Sequence, residues 1–445
     1  MTLATFTGLA DLAAGTLEIR PSQEGQSFAP GTANFAIPEP GGVTVANVPG
    51  TFWKNESTEH GCGLVPTWGG RVTVTNRYSG SYVSGVYAQI YDFTGGTGNE
   101  ACNSNAAPSD FDLSMGIWSY QVVATTSSEV TWAFDYVTGS QFTFRGRILG
   151  AKLTHATATQ PIRGPARANG SSTAFPVENG IGFVAADGTV SATTDLTGFP
   201  RAVAPDSTNG RIWYASLYGV VGYTNGTGGA DQHIHWSYAA PVDEGRDIAV
   251  DATDATKAWL LTSDYGLDGN HGGLRAVTLS PLAFGDTSAT FSGTPGALVA
   301  APGTLYVTNT TNSTIDVWAI PAMSRTSYAT SGVAGCGSPD RMLLHSSGDV
   351  WFTASAAICK MTAAGVVSKV ADAVSPTGIC MGSDGNVWYA REQGLVRVVA
   401  GETTPWVVDA FPAFSVGNHP SCTTGSGGFW AASDDGGVQL VRYEP

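Results

Sequence analysis

Ser383-Asp384-Gly385-Asn386-Val387-Trp388-Tyr389-Ala390, followed shortly by Leu395-Val396-Arg397-Val398, is the stretch whose reading decides the fold. Upstream of it stands Ser375-Pro376-Thr377-Gly378-Ile379-Cys380. The unit therefore reads proline, short apolar run, Gly/Asp turn, aromatic strand, turn, alternating strand. Apolar positions that step by two belong to strands, because side chains alternate across a pleated backbone.

Versions of this unit recur from about residue 198 to the end. The aromatic strands are Ile212-Trp213-Tyr214, Ala258-Trp259-Leu260, Leu305-Tyr306-Val307, Val350-Trp351-Phe352, Val387-Trp388-Tyr389 and Phe429-Trp430-Ala431. Their central residues (213, 259, 306, 351, 388, 430) are 46, 47, 45, 37 and 42 positions apart. Each is followed by a second alternating strand, as in Val220-Val221-Gly222-Tyr223 and Ile358-Cys359-Lys360-Met361. A period of this length with several strands per unit is the signature of β-propeller blades. Gly180 to Val190 matches Ala357 to Val367 and is expected to be the outer part of a blade whose inner strands lie elsewhere. The last unit stops after three strands, so a strand from 171–177, or the segment 180–196, is expected to supply the missing edge. Seven blades are predicted, with six as the alternative.

The first half is β without a repeat. Alternating runs at 15–20, 42–48, 71–75, 82–91, 117–123, 130–136 and 141–148 predict seven or more strands and a β-sandwich. Trp118, Tyr120, Trp132, Phe134, Tyr136, Phe142 and Phe144 form an aromatic ladder, read as sandwich core rather than a sugar-stacking surface. The chain is thus expected to be all-β: a sandwich over 1–153, a linker over 154–172 and a propeller over 173–445.

Composition narrows the partners. The chain has 445 residues, 21 Lys and Arg against 36 Asp and Glu, and a formal charge of −15. Nucleic acid and anionic membrane are poor partners for such a surface. No run of about 18 apolar residues exists, so no membrane insertion is expected. The start, Met1 to Thr7, has neither the basic nor the apolar region of a Sec signal peptide. A β protein rich in Gly, Thr and Ser, only 13% charged, with its initiator Met suits a particle assembled inside a cell, such as a virion.

The remaining constellations are sparse. Cys62 and Cys102 are the only cysteines of the first half, and a disulfide between them would stabilise by roughly 3–4 kcal/mol on the chain-entropy model. Cys380 and Cys422 each precede their blade's Trp by 8 residues and are read as equivalent buried thiols. His233 and His235 share one strand face and are candidate metal ligands, outweighed by a solvated outer strand. Asp264 and Asp268, and Asp434 with Asp435, offer oxygens at loop spacing as calcium sites do, but Asp-Gly is ordinary turn chemistry. No metal or other cofactor is therefore assigned, with Ca or Mg held in reserve. No G-x-S-x-G, Walker loop or H-E-x-x-H is present.

At Ser383 to Ala390 and Ser347-Gly348-Asp349-Val350-Trp351-Phe352-Thr353 the chain resembles the virginiamycin B lyase type of propeller, and more loosely NHL and gluconolactonase-like propellers, over about 198–445. In the lyase-like family a Glu commonly follows the aromatic strand, and Glu and His residues at the tunnel mouth hold magnesium and carry out an elimination. The matching positions here are Ala354, Ala390 and Ser216. Glu392 lies two residues late, and His419 is the one histidine near a blade start; these are the catalytic candidates the resemblance implies.

Two function classes follow. The first is a non-enzymatic structural or recognition protein, most concretely a phage virion component (tail, fibre or capsid decoration). Its N-terminal domain would bind copies of itself or other structural proteins, and its propeller would display a face to a protein or glycan receptor. The second is a lyase-like or lactonase-like propeller enzyme. An exported adhesin at the cell surface is a further alternative.

Overall fold

The computed structural model describes, in the first part of the chain, residues 11–18, 34–36, 43–48, 53–55, 67–76, 82–94, 100–101, 116–120, 125–127 and 129–135. Beyond these it describes 143–192, 196, 198–206, 208–225, 231–235, 242–265, 271–279, 281–382, 386–391, 394–398, 407–409, 420–425, 428–433 and 439–444. All regular elements among them are strands, and no helix long and apolar enough to cross a membrane occurs there. The chain divides into two compact units, Met1–Thr154 with Glu402–Phe411 and Tyr443–Pro445, and His155–Gly401 with Pro412–Arg442.

The N-terminal unit holds two sheets. One carries Asp11–Glu18, Tyr82–Thr94, Gly116–Tyr120 and Thr143–Thr157; the other carries Val43–Asn47, Thr67–Asn76 and Val130–Asp135. Trp118 of the first stacks on Trp132 of the second with ring centroids 4.4 Å apart, and the Trp132 indole donates to the Tyr120 hydroxyl at 3.0 Å. These three rings are buried, so this part of the ladder is sandwich core, where edge and face contacts add to area burial. Burial pushes the Tyr120 phenol far above its ordinary range, against the opposing pull of the Trp132 hydrogen bond.

The second unit is a β-propeller. Its six complete blades are four-stranded antiparallel sheets built from consecutive strands. From the axis outward, blade 1 is Arg167–Asn169, Ser172–Val177, Gly180–Ala185 and Val190–Ala192. Blade 2 is Pro200–Asp206, Arg211–Ser216, Val220–Thr224 and Gln232–His235. Blade 3 is Val242–Val250, Lys257–Tyr265, His271–Leu279 and Leu282–Ser292. Blade 4 is Pro295–Ala301, Thr304–Asn309, Thr314–Ala319 and Ser324–Ala329. Blade 5 is Met342–Leu344, Val350–Thr353, Ala357–Met361 and Val367–Asp372. Blade 6 is Gly378–Met381, Val387–Arg391, Gly394–Val398 and, in sheet order, Val407–Asp409, a strand that is grouped with the N-terminal unit. The aromatic residues of the repeat all lie on second strands, and the alternating run that follows each is the third strand.

A seventh sector is composite. The meander Pro420–Gly425, Gly428–Ser433 and Gln439–Glu444 packs its inner strand between those of blades 6 and 1. Next to its last strand in sheet order lies Thr143–Thr157, whose final residues belong to the propeller unit. Ala156, Ala158, Ile162, Phe175, Val177, Val184 and Leu440 form one buried cluster there. The alternatives of six or seven blades thus resolve into six self-contained blades and one sector assembled from both ends of the propeller sequence.

Three sequence expectations are corrected. Gly180 to Val190 finds its inner strands in the residues just before it, Arg167–Asn169 and Ser172–Val177. Those residues complete blade 1 and do not close the ring; the end of Thr143–Thr157 does. The stretch 154–172, expected as a linker, is built into the propeller, with Ile162 and Ala166 fully buried. Its Pro and Gly residues mark the turn into the first inner strand, not a flexible tether.

The core is laid down between blades. One cluster joins Trp213, Ala215 and Val221 of blade 2 to Ile248, Ala258, Leu260 and Val277 of blade 3. Another joins Trp259, Leu261 and Leu274 to Leu298, Leu305 and Trp318. Each blade therefore buries one face against the next, which is why a single repeat cannot stand alone.

Two disulfides correct the reading of buried thiols. Cys380 and Cys422, on neighbouring inner strands of blade 6 and the composite sector, are bonded with Cα atoms 5.7 Å apart. Cys336, in the connection between blades 4 and 5, pairs with Cys359 on the third strand of blade 5 at a Cα separation of 5.9 Å. Equivalent positions on adjacent inner strands face each other across the blade interface, and that is what brings Cys380 and Cys422 together. Cys62 and Cys102 lie outside the described residues.

Candidate functional site

Inner strands of a propeller start on one side of the ring, so the residues at their beginnings converge. Here they surround a cavity of about 560 Å³ lined by Arg163, Gly164 and Pro165 before blade 1, Arg201 of blade 2, and Glu244, Gly245 and Arg246 of blade 3. Thr294, Pro295, Gly296 and Thr310 of blade 4, and Asp340 and Arg341 of blade 5, complete it. Its size falls in the range of small-molecule sites.

Local backbone geometry aims these side chains. Register shifts occur between Pro200 and Ala202, between Gly245 and Asp247, and between Pro295 and Leu298, all at the starts of inner strands. A bulge turns the extra residue out of the ladder, and at two of these sites that residue is an arginine, Arg201 or Arg246. Gly164 is required by close approach: a Cβ there would overlap the Arg201 carbonyl. Blade 4 also fixes blade 5, since the Thr308 hydroxyl donates to the Asp340 carbonyl at 2.7 Å and that of Thr310 to the Pro339 carbonyl at 2.8 Å.

Electrostatically the mouth opposes the molecule around it. Four guanidinium groups line it against two carboxylates, in a chain of net charge −15. Arg246 reaches Ser263 Oγ at 2.7 Å and Glu244 at 3.2 Å. Arg341 lies 3.8 Å from Asp340, and Arg163 lies 3.3 Å from Glu178. Arg201 donates to the Arg163 carbonyl at 3.4 Å and has no carboxylate partner among the described residues.

Beneath the mouth, Asp247 is 1% exposed and accepts from Ile248 and Leu298 backbone N–H groups at 2.9 Å each. Arg167 Nη2 lies 3.3 Å from both of its oxygens. The set joins blade 1 to blades 3 and 4, reaching past blade 2, and ties their inner strands together beneath the arginines. Such an array of fixed donors can bind an anion, with guanidinium suited to two-point contact with carboxylate.

The residues singled out from sequence lie elsewhere. His233 and His235 sit on the outer strand of blade 2 with ring centroids 5.4 Å apart, and His233 Nδ1 is 2.9 Å from Asp231. Asp264 stands on the second strand of blade 3 in register with Asp243. Among the described residues no three His, Cys, Asp or Glu side chains converge as metal ligands. Asp268, Glu392, His419, Asp434 and Asp435 lie outside the described residues. Ser216, Ala354 and Ala390, where the lyase pattern has Glu, are buried; Ser216 Oγ accepts from the Val220 N–H at 2.9 Å and closes a turn.

Sequence reading missed the mouth because it followed the aromatic second strands. A usable signal was present. Arg201 follows Pro200, Arg246 follows Gly245 and Arg341 follows Pro339-Asp340, each at the start of an inner strand, in a chain with only 21 basic residues.

The sequence matches no protein-family profile and no curated protein. In structure it is similar to a streptogramin B lyase, at 15% identity and a TM-score of 0.50 over 65% of this chain and 96% of that one. It is similar also to the WD40 repeats of RRP9, at 8% identity and 0.50 over 66% and 97%, and to a chain of a mitotic checkpoint complex, at 12% and 0.51 over 65% and 90%. At such identities the likeness speaks to fold alone. The chain carries a β-propeller similar in fold to that of streptogramin B lyase.

Proposed function

We propose that this protein is a non-enzymatic recognition protein whose propeller binds an anionic ligand at its arginine-lined mouth. The observation that carries this is the convergence of Arg163, Arg201, Arg246 and Arg341 on one cavity in a strongly acidic chain. A positive recess focuses its field on anions that reach it, and selects them against cations. Both lining carboxylates lie beside arginines, Glu244 by Arg246 and Asp340 by Arg341, which suits a positioning role. In this reading the N-terminal sheets mount the chain on a larger assembly, a phage virion being the setting that the composition favours. Mass spectrometry of purified particles from the source checks that setting.

Calorimetric titration with citrate tests the site. Wild type is expected to bind, and Arg201→Ala and Arg246→Ala to bind at least tenfold more weakly at unchanged melting temperature. Binding that survives both substitutions overturns the reading. The alternative, elimination or lactone chemistry at the same mouth, draws on Glu244 and Asp340, and turnover of a streptogramin or a lactone by wild type but not by Glu244→Gln would favour it.

A further inference from the structure

Beside the mouth the surface carries an unusual pair of rings. Phe199 and Tyr218 are 41% and 55% exposed, and their centroids lie 5.3 Å apart at 81°. Neither ring lines the cavity itself; the pair stands next to it, on the stretches of blade 2 that abut its lining. Phe199 is two residues before Arg201, and its carbonyl accepts from the Leu217 N–H at 3.1 Å. Ser216, two residues before Tyr218, packs against cavity-lining Gly245, where an added Cβ would come within 2.8 Å of the Ser216 carbonyl. Phe199 also adopts φ 60°, a left-handed conformation that is strained for a residue with a large side chain. An exposed ring held out under such strain is poorly explained by packing.

The lining chemistry selects among anions. The guanidinium groups offer only donors and call for a carboxylate, sulfate or phosphate. The carboxyl oxygens of Glu244 and Asp340 offer acceptors among these donors and suit the hydroxyl groups of a ligand. Edge-to-face packing of the two rings leaves ring surface for an apolar C–H face. A pyranose bearing a carboxylate presents all three: an anionic group, several hydroxyls and a flat C–H face.

We infer that the propeller mouth is a binding site for acidic saccharides, of the uronic or sialic acid type, with Arg201 and its neighbours holding the carboxylate and the Phe199–Tyr218 pair stacking on the ring. This rests on the anion-binding reading above and names its ligand class.

The test uses the full chain and calorimetric titration with trigalacturonate, 3′-sialyllactose, maltotriose, hexa-aspartate and citrate. One of the two acidic saccharides is expected to bind at least tenfold more tightly than maltotriose, hexa-aspartate and citrate. Tyr218→Ala should lose at least tenfold toward that saccharide and nothing toward citrate, while Tyr218→Phe keeps wild-type affinity. If citrate binds as tightly as the better of the two acidic saccharides, or Tyr218→Ala changes nothing, the saccharide inference falls and anion binding stands. Tighter binding of hexa-aspartate makes the ligand an acidic peptide and also overturns it. If no anion binds, both readings fall.

Discussion

Asp247 shows how one residue can set a site it does not enter. Its carboxylate has water replaced by two backbone N–H groups and the Arg167 guanidinium, at 1% exposure. Removing one side of such a set leaves buried polar groups unmatched. Asp247→Ala is therefore expected to cost about 3–5 kcal/mol in denaturant unfolding, and Asp247→Asn distinctly less. Asp254 makes a second prediction, on the turn between the first two strands of blade 3. The Thr256 hydroxyl, then Lys257 and the Thr256 N–H, hold its carboxyl down to about 2. A folded pKa below the unfolded value of about 3.9 contributes stability that is fully present above pH 4 and lost as pH falls toward 2. NMR titration should show Asp254 protonating near 2 in wild type and at higher pH in Thr256→Ala. Neither residue was legible beforehand, because what matters at each is which backbone N–H groups surround it, and sequence does not display those.

Elements were far easier to read. The tryptophan strands stood out because each places a large ring where two blades meet, and Trp213, Trp259 and Trp388 are indeed buried. The first blade was harder, since its inner strand Arg167–Asn169 is only three residues long and carries no aromatic residue. The arginine mouth was obscured for a related reason: inner strands are short, begin at bulges and show no strict alternation. Disulfides are the clearest element-level device. Cys380 and Cys422 are 42 residues apart and tie neighbouring inner strands where the last complete blade meets the composite sector. On the chain-entropy account this crosslink stabilises by about 4 kcal/mol. The double variant Cys380→Ala/Cys422→Ala is expected to lose most of that in a thermal melt under non-reducing conditions.

For the whole molecule, the decisive place is where the ring closes. Leu440, near the end of the chain, is fully buried with Phe175, Val177 and Val184 of blade 1 and with Ala156 and Ala158. Leu440→Ala is expected to cost about 2–5 kcal/mol and to lower the transition of the whole propeller, not of one blade alone, in calorimetry. Closure of this kind was only half visible in the sequence. The last repeat plainly lacked a strand and completion from the N-terminal side was expected, but from 171–177 or 180–196, and nothing in the spacing pointed to the end of Thr143–Thr157.

That arrangement bears on how such a gene can change. Because residues just after 155 and just before 442 meet in one cluster, the propeller begins and ends at the same spot on its perimeter. A coding segment with this property can be moved into another gene, or re-cut at any surface turn with its old ends joined by a short spacer, and still specify the same ring. The joint between its two ends is then the one place where a new break and a new connection can be exchanged.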